Sequence, residues 1–178
     1  YHQKTKVRDL ALLTLLLGTG IRVSECVGLN IADIDFKNGG IRIYRKGGKE
    51  VTVYFGTEVE DALLDYLEER DRIIPEKGHE DALFLSLQRR RMAVRSVENL
   101  VKKYARIVSP LKPITPHKLR STYGTNLYRE TGDIYLVADV LGHSDVNTTK
   151  RHYAALEDER RRSARNKVRL REKQSSQI

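Results

Sequence analysis

The chain has 178 residues, 39% hydrophobic and 32% charged, a composition that predicts one domain with a hydrophobic core and excludes a disordered chain. The single cysteine, Cys26, excludes an intrachain disulfide and a multi-cysteine metal site. Lys and Arg total 33 against 24 Asp and Glu, and the resulting net charge of +9 favours a polyanionic partner such as nucleic acid.

The first half of the chain predicts helices around a hairpin. Residues 7–17 carry apolar side chains at helical spacing, and a Gly-Thr-Gly turn ends that helix. A short helix follows, with Ser24 as a candidate N-cap. Residues 41–45 and 51–55 alternate and are rich in β-branched residues, which predicts a β-hairpin whose basic tip is residues 46–50. Thr57, a cap candidate, opens a helix that ends near Arg72.

The second half predicts helices throughout, after a short apolar run at 83–85 that is strand or extended. The predicted helices are 96–108, a helix opened by Thr115-Pro116 and running to about 130, 134–141 stopped by Gly142, and 147–156. The fold class is therefore α+β, mainly helical with one small antiparallel sheet. We assign 1–156 to one domain and 157–178 to a basic tail, which is either disordered or a helix docked on a neighbouring protomer.

Several chemistries lack their sequence signals. Residues 39–49 contain no phosphate-loop pattern, Lys37 and Asn38 break a calcium loop that begins at Asp33, and no histidine pair forms a zinc-binding HExxH motif. We therefore expect no metal and no cofactor. The longest apolar stretch, 10–17, is too short to cross a membrane, and it lacks a signal-peptide pattern, so we expect a cytoplasmic protein.

Five separated places put a cation, an imidazole or a phenol at a helix end or loop tip. Each is common alone: the pair Arg22 and Glu25 is typical of a surface ion pair, and a lysine such as Lys46 is typical of a hairpin tip. Together, in this order, they form the pattern Arg22 with Glu25, Lys46, His117 with Arg120, His143 after Leu141-Gly142, and Tyr153.

This ordered pattern resembles the catalytic domain of the tyrosine recombinases, the phage-integrase and Xer-type family, from about residue 7 to 156. The resemblance implies the tyrosine-recombinase catalytic-domain fold and DNA strand exchange through a 3′-phosphotyrosine, without metal or ATP. Tyr153 would attack the phosphate. Arg22 and Arg120 would stabilise its developing charge, and Lys46 would protonate the leaving 5′-oxygen.

The resemblance implies supporting roles for the remaining site residues. His117 would accept the tyrosine proton or orient the phosphate, His143 would bond a non-bridging oxygen, and Glu25 would orient the cations. Many family members place the tyrosine nine residues after the histidine, where this chain has His152. Either the loop at 144–149 is one residue longer, which we favour, or Tyr153 is not the nucleophile.

The resemblance also implies partners. Double-stranded DNA is the substrate, a homo-tetramer assembles on DNA although the isolated chain is a monomer, and accessory DNA-bending proteins take part; no membrane is involved. An upstream DNA-clamping domain is expected to be missing from this chain. Two other functions stay open: a DNA-binding module without catalysis, and a type IB topoisomerase that uses the same chemistry as a single protomer.

Overall fold

The computed structural model describes residues 2–111, 113–143, 145–165 and 167–168. The chain divides into two compact units, Tyr1–Gly124 and Thr125–Ile178. Within the described residues, no helix combines the length and the apolar character that crossing a membrane requires.

The helices of the first unit lie where the sequence predicts them. They are α1 (His2–Thr19), α2 (Val23–Val27), α3 (Thr57–Arg70) and α4 (Val94–Val108). The predicted caps are wrong: Arg22, not Ser24, is the N-cap of α2, and Gly56, not Thr57, is that of α3. At both caps the backbone is extended, and in α2 the carboxylate of Glu25 at N3 reaches back and accepts the backbone N–H of the N-cap Arg22.

The first unit contains a three-stranded antiparallel sheet in the order β1 (Ile34–Asp35), β2 (Gly40–Arg45) and β3 (Lys49–Tyr54). The predicted hairpin is confirmed, with Ile41 opposite Val53 and Arg45 opposite Lys49. The short strand β1 was not predicted. The run at 83–85, predicted as strand or extended, is buried but bends between two isolated β-bridges, which pair Ala82 with Asn30 and Leu85 with Arg91. The Leu83 N–H donates to the carbonyl of Leu29 at 3.0 Å.

The core of the first unit lies among α1, α3, the inward face of β2 and the segment at 83–85. The alternation of β2 turns Ile41 and Ile43 inward, while Tyr66 of α3 stacks on Phe84 with ring centroids 5.3 Å apart. Other side chains at or below 1% exposure include Leu12, Leu15, Leu16, Ile21 and Leu63. This core supports the turn between α1 and α2, where the predicted cation Arg22 lies.

Helix α5 (Pro116–Thr131) starts in the first unit and ends in the second, where α6 (Ile134–Leu141), α7 (Val146–His152) and α8 (Ala154–Ala164) follow. The Thr115 hydroxyl accepts the Lys118 N–H at 3.2 Å, which confirms the predicted cap of α5. Gly142, with φ of 72°, ends α6 as predicted.

One predicted helix of this region is two helices in the structure. The continuous helix predicted over 147–156 is interrupted at Tyr153, whose φ of −108° and ψ of 19° separate α7 from α8. Beyond α8, the part of the basic tail over 169–178 lies outside the described residues, as does residue 166.

Candidate active site

The turn between α1 and α2 fixes the backbone that carries Arg22. Gly20 has φ of 69°, and a Cβ at this position would overlap the ring of Tyr123, so only glycine fits without a shift. The chain then turns into α2 with Arg22 as the first flanking residue. The Arg22 side chain is exposed. The turn therefore presents a permanent cation to solvent from a strongly determined backbone.

Arg120 lies against the same turn. Arg120 is 8% exposed, and its guanidinium Nη1 donates a hydrogen bond to the carbonyl oxygen of Gly20. This bond joins two segments that are 100 residues apart in sequence. The structure thus brings the predicted pair Arg22 and Arg120 to one turn.

Glu25 connects this turn to the hairpin. Its Oε1 accepts the backbone N–H of Arg22 at 2.8 Å, and its Oε2 lies 3.4 Å from Nε of Arg45. The Glu25 side chain is 4% exposed and that of Arg45 is 8% exposed. Lys46 follows Arg45 directly and begins the exposed hairpin tip. Sequence reasoning missed Arg45, although the alternation after Ile41 and Ile43 indicates that it faces inward.

His117 lies in the first turn of α5 and is exposed, whereas Arg120 on the same helix is buried. His117 and Val23, the residue after Arg22, line one cleft of about 900 Å³ in the first unit. The same cleft is lined by basic side chains of α4, namely Arg95, Lys102 and Arg106. His117 is therefore near the Arg22 turn and borders a cleft with an excess of positive charge.

His143 follows the glycine that ends α6, in the second unit. Its backbone N–H donates to the carbonyl of Ala138 at 2.9 Å, which closes a Schellman-type helix end. Its ring Nδ1 is hydrogen-bonded to the hydroxyl of Thr149, which is fully buried on α7. Thr149 was also missed from the sequence, where nothing distinguishes it from the adjacent Thr148.

Tyr153 lies at the break between α7 and α8 and is 3% exposed. Its ring stacks on Tyr128 of α5 with centroids 6.0 Å apart and an angle of 23° between planes. His152 is exposed to solvent, and its ring lies edge-on to the Tyr153 ring with centroids 4.7 Å apart. Of the predicted loop at 144–149, residues 146–149 form the start of α7. That this connection holds one additional residue before Tyr153 stays a prediction.

The basic run at 88–91 predicts a loop that contacts DNA phosphates, and in the structure two of its arginines have internal partners. Arg91 donates to the carbonyls of Val27 and Leu29, both at 2.9 Å, and Arg89 forms an ion pair of 2.6 Å with Glu76. Arg91 therefore holds the segment after α2 in place, and Arg90 is exposed.

The chain belongs to the phage integrase family, whose family model matches residues 1–160. Among curated proteins it is similar to tyrosine recombinase XerD of Oceanobacillus iheyensis, with 38% identity over 150 residues, 84% of this chain and 50% of that protein. It is also similar to tyrosine recombinase XerC of the same organism, with 41% identity over 145 residues, 80% of this chain and 48% of that protein.

Solved structures give the same family. The crystal structure of XerA recombinase has a TM-score of 0.79 at 31% identity and covers 95% of this chain and 61% of its own. The Tn1549 transposon integrase in complex with transposon right-end DNA has a TM-score of 0.69 at 26% identity, over 93% of this chain and 60% of its own. The predicted tyrosine-recombinase fold is confirmed. The chain spans about half the length of the curated relatives it matches.

Proposed function

We propose that this chain is the catalytic part of a site-specific recombinase that cuts and rejoins DNA strands through a 3′-phosphotyrosine intermediate. The observation that supports this most is the contact series in the first unit. Arg120 donates a hydrogen bond to the Gly20 carbonyl, and Glu25 accepts the Arg22 N–H and forms an ion pair with Arg45, the residue before Lys46. Two predicted cations, Arg22 and Arg120, thereby lie at one turn, and the ion pair of Arg45 joins the root of the hairpin that carries Lys46 to the same turn. A phosphodiester is the group that such an arrangement suits, because its transition state gains negative charge on non-bridging oxygens.

In the proposed reaction the Tyr153 Oη attacks phosphorus and the bond from phosphorus to the 5′-oxygen breaks. Arg22 and Arg120 stabilise the non-bridging oxygens, and Lys46 donates its proton to the leaving 5′-oxygen. His143 bonds a non-bridging oxygen, and His117 accepts the tyrosine proton or orients the phosphate. The phosphotyrosyl ester conserves the energy of the broken bond, so a 5′-hydroxyl from another strand can reverse the step without ATP or metal.

Double-stranded DNA is the proposed substrate. The net charge of +9 supplies the salt-sensitive attraction, and the cleft beside His117 carries Arg95, Lys102 and Arg106 on one helix. The Tn1549 integrase, a structural relative, was solved with transposon-end DNA. We infer action in the bacterial cytoplasm, as a tetramer on DNA with accessory DNA-bending proteins. Of the basic tail at 157–178 that we propose docks on a neighbouring protomer, the structure describes residues 157–165 and 167–168.

The proposed mechanism requires a change at Tyr153. A phenol that is 3% exposed and stacked on Tyr128 is not accessible to a DNA phosphate. We therefore infer that DNA binding separates Tyr153 from Tyr128 before cleavage. The buried phenol is also the observation that favours the second candidate, a DNA-binding module without catalysis, so the decisive experiment measures binding and covalent attachment together.

The experiment uses the longest protein that contains this sequence and a pool of nicked duplexes with randomised sequence. Protein-linked DNA is recovered after denaturation with detergent and sequenced. We expect a discrete set of duplexes attached through Tyr153, and we expect Tyr153→Phe to abolish attachment while retaining binding. Tyr135→Phe is the matched control, because this exposed tyrosine lies in the same unit. Binding without any covalent product in the unmodified protein would support the non-catalytic module.

A further inference from the structure

Arg45 occupies a place where the sheet normally buries an apolar side chain. It is the last residue of β2 and shares the inward face with Ile41 and Ile43, which are at most 1% exposed. Its side chain is 8% exposed. A guanidinium at such a position requires a compensating charge.

The compensating charge is the carboxylate of Glu25, which also accepts a hydrogen bond from the turn between α1 and α2. Glu25 places Oε2 at 3.4 Å from Nε of Arg45 while Oε1 accepts the N–H of Arg22 at 2.8 Å. One buried carboxylate therefore holds the end of β2 against the turn that presents Arg22. A buried ion pair has a definite geometry, because neither side chain can exchange its partner for water.

Arg45 is also the last anchored residue before Lys46. The backbone N–H of Gly48 donates to the carbonyl of Arg45 at 3.1 Å, which closes the hairpin turn on this residue. Gly47 and Gly48 have φ of 86° and 76°, and a Cβ added to either would meet no described atom within 4 Å. The tip therefore projects into open space, and its root is the part that the ion pair fixes.

We propose that Arg45 is a positioning residue, which through Glu25 sets the place of the Lys46 ammonium relative to Arg22. This inference rests on the proposed function, in which Lys46 protonates the leaving 5′-oxygen. Arg45 itself touches no reacting atom. Its loss lets the root of the hairpin move, and the proton donor then reaches the leaving group less often.

A sulfur-substituted substrate separates this role from a general structural one. With the natural phosphodiester, the electron pair of the broken bond stays on the 5′-oxygen, which takes the Lys46 proton. With sulfur at the 5′-bridging position, the bond from phosphorus to sulfur breaks and the electron pair leaves on a thiolate. A thiol has a pKa of about 8.5, so the thiolate leaves without a proton donor.

The test measures single-turnover formation of the covalent product on two duplexes that differ only in this atom. Both duplexes carry a DNA sequence recovered in the covalent-attachment experiment described above. For Arg45→Met we expect a rate at least about 10-fold below the unmodified protein with oxygen, since general acids contribute about 10²–10⁴ in rate. With the sulfur duplex we expect the Arg45→Met rate to lie within about 3-fold of the rate of the unmodified protein, because a general acid is no longer required. We expect the same of Lys46→Ala.

Arg42→Met is the matched control. Arg42 lies on the same strand, but it points outward and its Nε lies 3.3 Å from Asp33, with a side chain 44% exposed. We expect its rates with oxygen and with sulfur to equal those of the unmodified protein. An Arg42→Met defect that matches Arg45→Met on both duplexes would overturn the assignment.

Removing one member of a buried ion pair can unfold a protein, so a second variant keeps the inference testable. The double variant Glu25→Gln with Arg45→Met removes both charges of this ion pair, and the amide oxygen introduced at position 25 still accepts the Arg22 N–H. We expect this variant to fold and to show the same sulfur-rescued defect. Arg45→Lys keeps the charge, and we expect it to recover part of the oxygen rate.

The two possible failures are distinguishable. If folded Arg45→Met and the double variant lose equal factors on oxygen and sulfur, or lose nothing on either, Arg45 does not position the acid and the inference is overturned. If the unmodified protein forms no covalent product on either duplex, the proposed function itself fails, whatever Arg45 does.

Discussion

The two units hold their candidate catalytic groups by different kinds of contact. In the first unit, Arg22 and Arg120 are bound through the backbone: Glu25 accepts the Arg22 N–H, and Arg120 donates to the Gly20 carbonyl. In the second unit, His143 and Tyr153 have side-chain partners, the Thr149 hydroxyl and the Tyr128 ring. We infer that the first unit is a preorganised phosphate-binding half. The second unit is a nucleophile half, in which the side-chain contacts of His143 and Tyr153 can be exchanged for contacts with DNA.

Loss of Arg120 is the largest expected effect, because it breaks the anchoring of the first unit and removes a charge. We expect Arg120→Ala to slow DNA cleavage by about 10²–10³, as for other preorganised donors to a transition state. The Gly20 carbonyl also loses its donor, which lowers the free energy of unfolding by about 1–3 kcal/mol. Single-turnover cleavage and urea denaturation measure the two effects separately.

Arg70→Ala provides the control for that result. Arg70 is 4% exposed and donates to the carbonyls of Ala82 and Glu80, so it is also a buried arginine bound to backbone. We expect Arg70→Ala to lower stability while the cleavage rate per folded molecule is unchanged. Equal cleavage defects in the two variants would mean that Arg120 acts through folding alone.

Two glycines in the same backbone conformation test the difference between the units next. Gly20 and Gly132 have φ of 69° and 65°, so alanine is strained by about 1–3 kcal/mol at either position. At Gly20 the added Cβ overlaps the packed ring of Tyr123, whereas at Gly132 it overlaps the end of the flexible Arg160 side chain. We expect Gly20→Ala to be the more destabilising in urea denaturation, and equal losses would contradict the comparison.

Thr149→Val breaks the second unit's side-chain contact at nearly constant volume. We expect the loss of the hydroxyl to cost about 1 kcal/mol and to slow cleavage by about 10-fold, because the ring of His143 loses the bond that orients it. Thr149→Ser, which keeps the hydroxyl, should restore the rate. A Thr149→Val protein that cleaves at the normal rate would show that this bond does not orient His143 for the reaction.

The sequence predicted elements where periodicity and helix stops are strong. Gly142 ended α6 as expected, and Thr115 capped α5 through its hydroxyl. The break at Tyr153 was not predictable in this way, because no glycine or proline marks it and local propensity favours a continuous helix. The two-residue strand β1 was missed because so short a segment shows no alternation.

The candidate site was predicted in its exposed groups, in Arg120 and in Glu25, and missed in two buried side chains that contact the predicted ones. Arg22, Lys46 and His117 follow from an ordered motif, but Arg45 and Thr149 gain their meaning only from contacts with distant residues. Alternation on β2 was a sufficient signal to turn Arg45 inward, yet a sequence does not state that Glu25 lies opposite. Pairings between separate elements are tertiary information, which local patterns do not contain.

The smallest expected effect at neutral pH is that of changing Cys26. The reactivity of its thiol measures how often α2 opens locally and exposes the turn beside it. This thiol is fully buried in α2, directly after Glu25, whose carboxylate accepts the Arg22 N–H. Burial raises the pKa of Cys26 to about 12. We therefore expect alkylation of the native protein near neutral pH to be at least about 10³-fold slower than in urea, since labelling requires local opening of α2.

The raised pKa also sets a direction for stability. Below pH 9 the thiol is protonated in both states, so its contribution to folding is complete there; between pH 9 and pH 12 only the unfolded state ionises and stability falls. The slope is at most about 1.4 kcal/mol per pH unit. Cys26→Ala lacks this thiol, so a plot of its free energy of unfolding against pH should lack that slope. The difference in stability between the unmodified protein and the variant should therefore show it. Rapid native alkylation would instead mean that α2 opens readily, and the contrast between a fixed and an exchangeable half would be lost.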